Sequence, residues 1–145
     1  MGNRTVALVL AAGTGSRFGG GKLLAPLGGK PVLQHVLDRV AEAGMGEVMV
    51  VLGRDAGTVE AAIVWRDERR LQNPDPERGL ASSLGVGMTT LDPNADALLI
   101  LLGDQPLVPI EAIRVLLDAP VVGAITAPGR EATSMTTGSY CTMFS

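Results

Sequence analysis

Thr5–Lys22 reads T-V-A-L-V-L-A-A-G-T-G-S-R-F-G-G-G-K, a β-branched and aliphatic run that stops abruptly at glycine. Val6–Ala12 contains no polar side chain, so it cannot alternate between a wet and a dry face. Such a run is a strand buried on both sides, as in the middle of a parallel sheet. Seven apolar residues fall far short of the roughly 20 that cross a bilayer. The run also makes a poor signal peptide, so a buried strand of a cytoplasmic protein without membrane contact is expected. The glycines that follow let the backbone turn through positive φ and approach a ligand closely, because no β-carbon obstructs. Arg17 adds a planar fork suited to phosphate oxygens, and Lys22 a mobile point charge.

Outward from this stretch, strands and helices alternate. Gly13–Gly29 is a loop with seven glycines, and Pro31 stands at a first helical position. Val32, Leu33, Val36, Leu37 and Val40 form a stripe at helical spacing that ends at Gly44. Glu47–Leu52 is a second strand, Asp55–Ile63 a helix, and Arg70–Asn73 a short strand stopped by Pro74. Gly79–Leu91 is a helix, and Ala97–Leu102 (A-L-L-I-L-L) a buried strand closed by Gly103-Asp104-Gln105-Pro106. Glu111–Leu117 is a further helix and Val121–Ala127 a last strand. The succession predicts an α/β fold in three layers, a doubly wound and mostly parallel sheet. Ligands bind such sheets beyond the carboxyl ends of the strands, where the strand order reverses. Gly13–Lys22 and Gly103–Pro106 both follow such ends.

Composition narrows the function classes. A chain of 145 residues is one domain, and 3% aromatics make its core aliphatic. A lone cysteine, Cys141, excludes a disulfide within the chain, and with the lone His35 it cannot build a structural zinc site. The net charge of −3 argues against a nucleic-acid partner. Yet Arg4, Arg17, Lys22 and Lys30 all precede the first acid, Asp38, while the remaining 108 residues hold 8 basic and 15 acidic side chains. A cationic, glycine-rich opening suits a compact anion such as a phosphate. An ordinary solvated surface accounts for the same four charges, and on charge alone it is the preferred reading.

Two common phosphate motifs are excluded. In G-x-G-x-x-G, Gly13 and Gly15 fit, but Phe18 occupies the third position. In G-x-x-x-x-G-K-[ST], Ser16 replaces the first glycine and Leu23 the final hydroxyl residue.

Leu10-Ala11-Ala12-Gly13, Arg17-Phe18-Gly19, Lys22-Leu23-Leu24 and Pro26-Leu27-Gly28-Gly29-Lys30-Pro31 come in one order with three later segments. These are Asn73-Pro74, Gly79-Leu80-Ala81-Ser82-Ser83-Leu84 and Gly103-Asp104-Gln105-Pro106-Leu107. Together, over residues 5–118, they resemble the MobA-like nucleotidyltransferases. The A-A-G form with Ala12, the G-L-A-S-S segment and D-Q-P-L look most like the molybdenum cofactor cytidylyltransferase branch. The resemblance implies a Rossmann-like fold of the nucleotide-diphospho-sugar transferase type. It also implies Mg²⁺-dependent transfer of CMP from CTP, in preference to GMP from GTP, onto the terminal phosphate of molybdopterin, with release of pyrophosphate.

Such a transfer is catalysed chiefly by positioning and charge neutralisation. Asp104, a hard carboxylate at a strand end, is the expected Mg²⁺ ligand in preference to a turn cap. Arg17 and Lys22 would neutralise the pyrophosphate, and Leu10, Ala11, Ala12, Gly13 and Gly15 would line the nucleotide. Ser82 and Ser83 either hydrogen-bond the base or ribose or cap their own helix. Asn73 either contacts the nucleotide or forms the turn before Pro74. His35 lies off the apolar stripe and is expected in solvent, while Trp65 and Met88 are expected to pack.

Gly129–Ser145 contains no Val, Leu or Ile. Residues 1–127 are therefore expected to be the N-terminal and central part of the domain. Residues 128–145 are expected to be an atypical, poorly ordered tail, as a shifted reading frame or a truncated gene would leave. The alternatives are an active nucleotidyltransferase, of cytidylyl or sugar-phosphate type, and a non-catalytic nucleotide-binding remnant.

Overall fold

Residues 6–12 are all buried, between 0% and 6% exposed, because this apolar run is the middle strand of a five-stranded sheet. The structure is a computed structural model that describes residues 5–12, 21–92, 94, 95, 97–104, 109–111, 113, 114 and 140–144. The first elements are β1 (Thr5–Ala11), α1 (Gly21–Leu24), a hairpin of β2 (Pro26–Leu27) and β3 (Lys30–Pro31), and α2 (Val32–Glu42). Then come β4 (Glu47–Leu52), α3 (Ala56–Ala62), β5 (Arg69–Gln72), a 3-10 turn (Pro76–Arg78), α4 (Leu80–Thr90), β6 (Ala97–Leu102) and β7 (Tyr140–Phe144).

The strands lie in the order β5-β4-β1-β6-β7, and every neighbouring pair is parallel. The chain leaves β1 toward β4 and β5, then returns to the other side of β1 to lay down β6. The expected doubly wound α/β sheet is thus present, with its switch of direction between β1 and β6.

Alternation along each strand divides the core in two. Ala7, Val9, Ala11, Val50, Leu52, Leu99 and Leu101 face α2 and α3, where Leu33, Val36, Leu37, Val40 and Val59 complete one cluster. Val6, Leu8, Leu10, Met49, Val51, Leu98 and Ile100 face the other way, onto Leu84, Val86 and Met88 of α4. Trp65 and Met88 pack as expected, one against each cluster. At Gly87 the two layers come so close that a β-carbon would lie 2.5 Å from Leu8 Cδ2.

Several local expectations shift. The loop expected over 13–29 contains α1 and the β2–β3 hairpin, which turns through Gly28 and Gly29 with φ of 60° and 84°. Positive φ at both central positions is the two-residue turn that matches strand twist, which glycine alone takes without strain. Pro31, with ψ of 146°, is still extended, so α2 begins one residue later, at Val32. His35 is only half-buried in solvent terms, because its Nε2 lies 2.5 Å from the Leu27 carbonyl oxygen and ties the hairpin to α2. The expected strand at 121–127 lies outside the described residues. Within the expected tail, residues 140–144 form β7, parallel to β6.

One polar hub fastens the hairpin and the segment after α3 to α2. Asp38 accepts from Lys30 Nζ at 3.1 Å, Gln34 Nε2 at 3.1 Å and Arg66 at 2.9 Å. The buried Gln34 amide also pairs with the Val64 backbone, accepting from its N–H at 2.8 Å and donating to its oxygen at 3.3 Å. Burial pushes the Asp38 carboxyl up, but hydrogen bonds from Arg66, Gln34 and Lys30 outweigh it and hold it below the usual carboxylate range. A depressed carboxyl contributes stability that is present above its unfolded-state value and lost as pH falls through the folded one.

Two outcomes are expected. Asp38→Asn should flatten the loss of stability below about pH 4, near the unfolded value of a carboxyl, in urea melts taken across acid pH. Gly87→Ala should destabilise on chemical denaturation, because overpacking against Leu8 costs about 1–3 kcal/mol and helix propensity returns about 1. Adding Leu8→Ala should relieve part of that clash.

Candidate functional site

Backbone hydrogen bonding brings the two segments of interest to one end of the sheet. Leu10 pairs with Leu102, and one step beyond β6 the Gly103 N–H still donates to the Leu10 carbonyl at 2.9 Å. Asp104 therefore leaves the sheet beside the point where the chain leaves β1 after Ala12. β4 ends there too, since a β-carbon on Gly53 would stand 3.0 Å from the Ala12 oxygen. Adjacent strand ends lie about 4.8 Å apart, so groups rising from them share one crevice. This is where an open parallel sheet takes its ligands.

Leu10 and Ala11 are buried in β1 and Ala12 just past its end, so their backbone is what they offer there. Gly13, Gly15 and Arg17 lie outside the described residues. Lys22 is exposed on α1, which is anchored from beneath by the partly buried Leu23 and Leu24. Asp104 is exposed as well. No group of three His, Cys, Asp or Glu able to hold a metal occurs among the described residues. No described helix is long and apolar enough to cross a membrane.

Farther along the same end, where β5 gives way to α4, lies an open groove of about 440 Å³. Pro74, Ala81 and Val86 supply apolar walls, and Asn73, Asp75, Arg78 and Ser82 the polar ones. Asn73 is 2% exposed and organises this wall. Its backbone N–H donates to Leu52 O at 2.7 Å, continuing the β4–β5 ladder. Its Nδ2 donates to Ser82 Oγ at 2.9 Å and Ser83 Oγ at 3.0 Å, and its Oδ1 accepts from the Asp75 N–H at 2.9 Å. Asn73 is thus the turn former before Pro74 and, in the same geometry, the anchor of the first turn of α4. Ser82 lines the groove and Ser83 is buried behind it. Neither serine caps α4, whose N-cap position is Gly79, without a side-chain hydrogen bond.

Arg54, just past β4, pairs with Glu77 of the 3-10 turn. The hydrogen bond from Arg54 holds the Glu77 carboxyl below its usual range, and the same contact raises the Arg54 guanidinium. Both are exposed, where ion pairs contribute little. The sequence reading missed this pair, the groove and the Asn73–serine network. The network had a signal, an N-P-D turn with paired serines at the next helix start, but its partner atoms become neighbours only when β5 lies beside β4.

Comparison with known proteins follows the same outline. The family model described as MobA-like NTP transferase domain matches residues 7–136. The bifunctional protein GlmU of Bordetella petrii is 38% identical over 121 residues, covering 81% of this chain and 26% of that protein. The chain thus spans about a quarter of the length of the curated relatives it matches. Rv0371c of Mycobacterium tuberculosis superposes with a TM-score of 0.77 at 29% identity, over 88% of this chain and 66% of that one. A second structure of Rv0371c is a complex with manganese. A CMP:2-keto-3-deoxy-manno-octonic acid synthetase complexed with CTP superposes with a TM-score of 0.68 at 26% identity, over 86% of this chain and 52% of that one.

Loss of the Asn73 amide would strand two serine oxygens and the Asp75 N–H. Asn73→Ala should therefore destabilise by about 1–3 kcal/mol, read from urea midpoints, and raise hydrogen exchange at the start of α4.

Proposed function

We propose, from the premise that this chain belongs to the MobA-like NTP transferase family, that it is a nucleotidyltransferase. It would move a nucleoside monophosphate from a triphosphate onto a phosphate acceptor and release pyrophosphate. The observation that carries the reading is the meeting of the β1 and β6 carboxyl ends, fastened by Gly103 N–H to Leu10 O at 2.9 Å. That register starts the glycine-rich loop and Asp104 from neighbouring strands at the switch point.

In the reaction an anionic acceptor oxygen attacks the α-phosphorus as the bond to the bridging β-phosphate oxygen breaks. The attacking oxygen is already ionised, so no general base is required, and the work is orientation and charge neutralisation. The backbone of Leu10–Ala12 with Gly13 and Gly15 would receive the triphosphate. Arg17 and Lys22 would offset the charge that gathers on the departing pyrophosphate. Asp104 would hold a divalent cation, Mg²⁺ in this reading, which when bound supplies positive charge to the phosphate oxygens. The groove along α4, with Asn73 and Ser82 on its wall, would take the nucleoside end, and Ser83 would support that wall from behind.

For the substrates, the A-A-G, G-L-A-S-S and D-Q-P-L segments favour CTP and a molybdopterin-type phosphate acceptor in the cytoplasm. A sugar-phosphate acceptor is supported to a comparable degree by the likeness to GlmU and to a CMP-sugar synthetase. Pyrophosphate release from CTP, GTP and UTP with either acceptor class separates the two. No release with any of them leaves the nucleotide-binding remnant as the reading.

Lys22→Ala should weaken triphosphate binding by about 1.5–3 kcal/mol, the size of a charge-assisted contact, in calorimetric titrations. Asp104→Asn should abolish the dependence of that binding on Mg²⁺. Binding that stays unchanged in both variants would remove these two residues from the site.

A further inference from the structure

The ion pair of Arg54 and Glu77 stands where the two halves of the proposed site have to be joined. The strand order runs β5-β4-β1-β6, so the end of β4 lies between the crevice at β1 and β6 and the groove that begins after β5. Both flanks of that end are fixed. On one side Gly53 packs so closely on the chain leaving β1 that a β-carbon there would lie 3.0 Å from the Ala12 oxygen. On the other, the Asn73 N–H donates to the Leu52 oxygen at 2.7 Å. Two strand spacings amount to about 10 Å. A ligand that fills crevice and groove together therefore passes over the end of β4, where Arg54 is rooted.

The pair is built to change partners. Its side chains are 69% and 51% exposed, and an exposed pair contributes so little that breaking it costs little. The contact runs through Arg54 Nε, and a guanidinium has two further nitrogens with which to grip an oxyanion. The surrounding charge is balanced. Asp75, on the groove wall, also acts on the Arg54 guanidinium, and Arg78 lines the same groove. Two cations thus face two carboxylates, and Glu77 masks the positive charge that an arriving phosphate needs.

We infer that Arg54 binds the phosphate next to the nucleoside, and that Glu77 occupies Arg54 as a competing partner until that phosphate displaces it. This phosphate is the one attacked in the transfer, whereas Lys22 serves the pyrophosphate end. The inference rests on the reading that phosphate tail and nucleoside take the crevice and the groove. It adds a residue that this reading leaves without a task, and a carboxylate that lowers affinity.

The test is calorimetric titration of the full chain with Mg²⁺ and CTP, UTP or GTP, and then with the monophosphate of whichever binds tightest. Arg54→Ala, Glu77→Gln and the double variant are compared with the unaltered protein. Arg54→Ala should weaken triphosphate and monophosphate alike, by about tenfold, the size of one charge-assisted contact. Glu77→Gln should tighten both by about two- to fivefold, the size of an exposed ion pair, and that gain should vanish in the double variant. A gain in affinity cannot come from a variant that fails to fold. Unchanged binding in Arg54→Ala, or a loss confined to the triphosphate, would overturn the inference and leave the nucleotide site intact. So would a Glu77→Gln variant that binds no tighter, or a gain that persists without Arg54, which would mark a general charge effect. Failure of all three triphosphates to bind would overturn the functional reading and the inference together.

Discussion

The placement of β1 between β4 and β6, in fixed parallel register, is the constraint on which the rest depends. A parallel ladder holds each strand at a set height against its neighbours, and a slip by one residue would turn every side chain to the opposite face. Here both faces are buried, so a slip would exchange the sets that pack on α2 and on α4. Leu8, pressed against Gly87, and Val9, buried among Leu33 and Val36, cannot trade places. The heights of Leu10, Leu52 and Leu102 are thereby set together. The carboxyl ends where the chain leaves the sheet are level as a consequence, not by separate design.

Around that level end the protein uses small, directional contacts. The Gly103 N–H extends the β1–β6 ladder by one bond before Asp104 departs. Asn73 does the same for β4 and β5, and then turns its side chain to grip α4. Both residues finish a strand and fix what comes next. On the far side of the α2 layer, the Asp38 hub performs a different task, tying the hairpin that follows Lys22 to α2 through Lys30. The hairpin is held again by His35. The short helix carrying Lys22 is therefore bounded by anchored structure at its C-terminal side.

Much of this was legible in the chain. Glu47–Leu52 and Ala97–Leu102 could be read residue for residue, because runs of Val, Leu and Ile bounded by glycine have few other uses. The α2 stripe and the end at Gly44 followed from spacing. Boundaries set by a neighbour were not legible. Pro31 fits a first helical position by its φ alone, yet it remains extended because it pairs with Pro26 across the hairpin. His35 looked exposed by its place on the helical wheel, and a carbonyl eight residues earlier folds over it. β7 had no signal: Tyr-Cys-Thr-Met-Phe lacks the aliphatic run that marked the other strands, and its pairing is supplied by the edge of β6.

The sequence alone determined the class of fold, the aliphatic two-sided core and the kinds of groups offered to a ligand, since these depend on periodicity and composition, which are local. It also placed Gly13–Lys22 and Asp104 after strands. Only the tertiary structure decided that those two strands are neighbours, because strand order is a matter of which way the chain crosses over, and no local pattern encodes it. The same holds for Asn73. Whether its amide meets a ligand, a turn or two serines depends on what stands within 3 Å, and residues 73, 75, 79, 82 and 83 converge only once β5, the 3-10 turn and α4 have packed together.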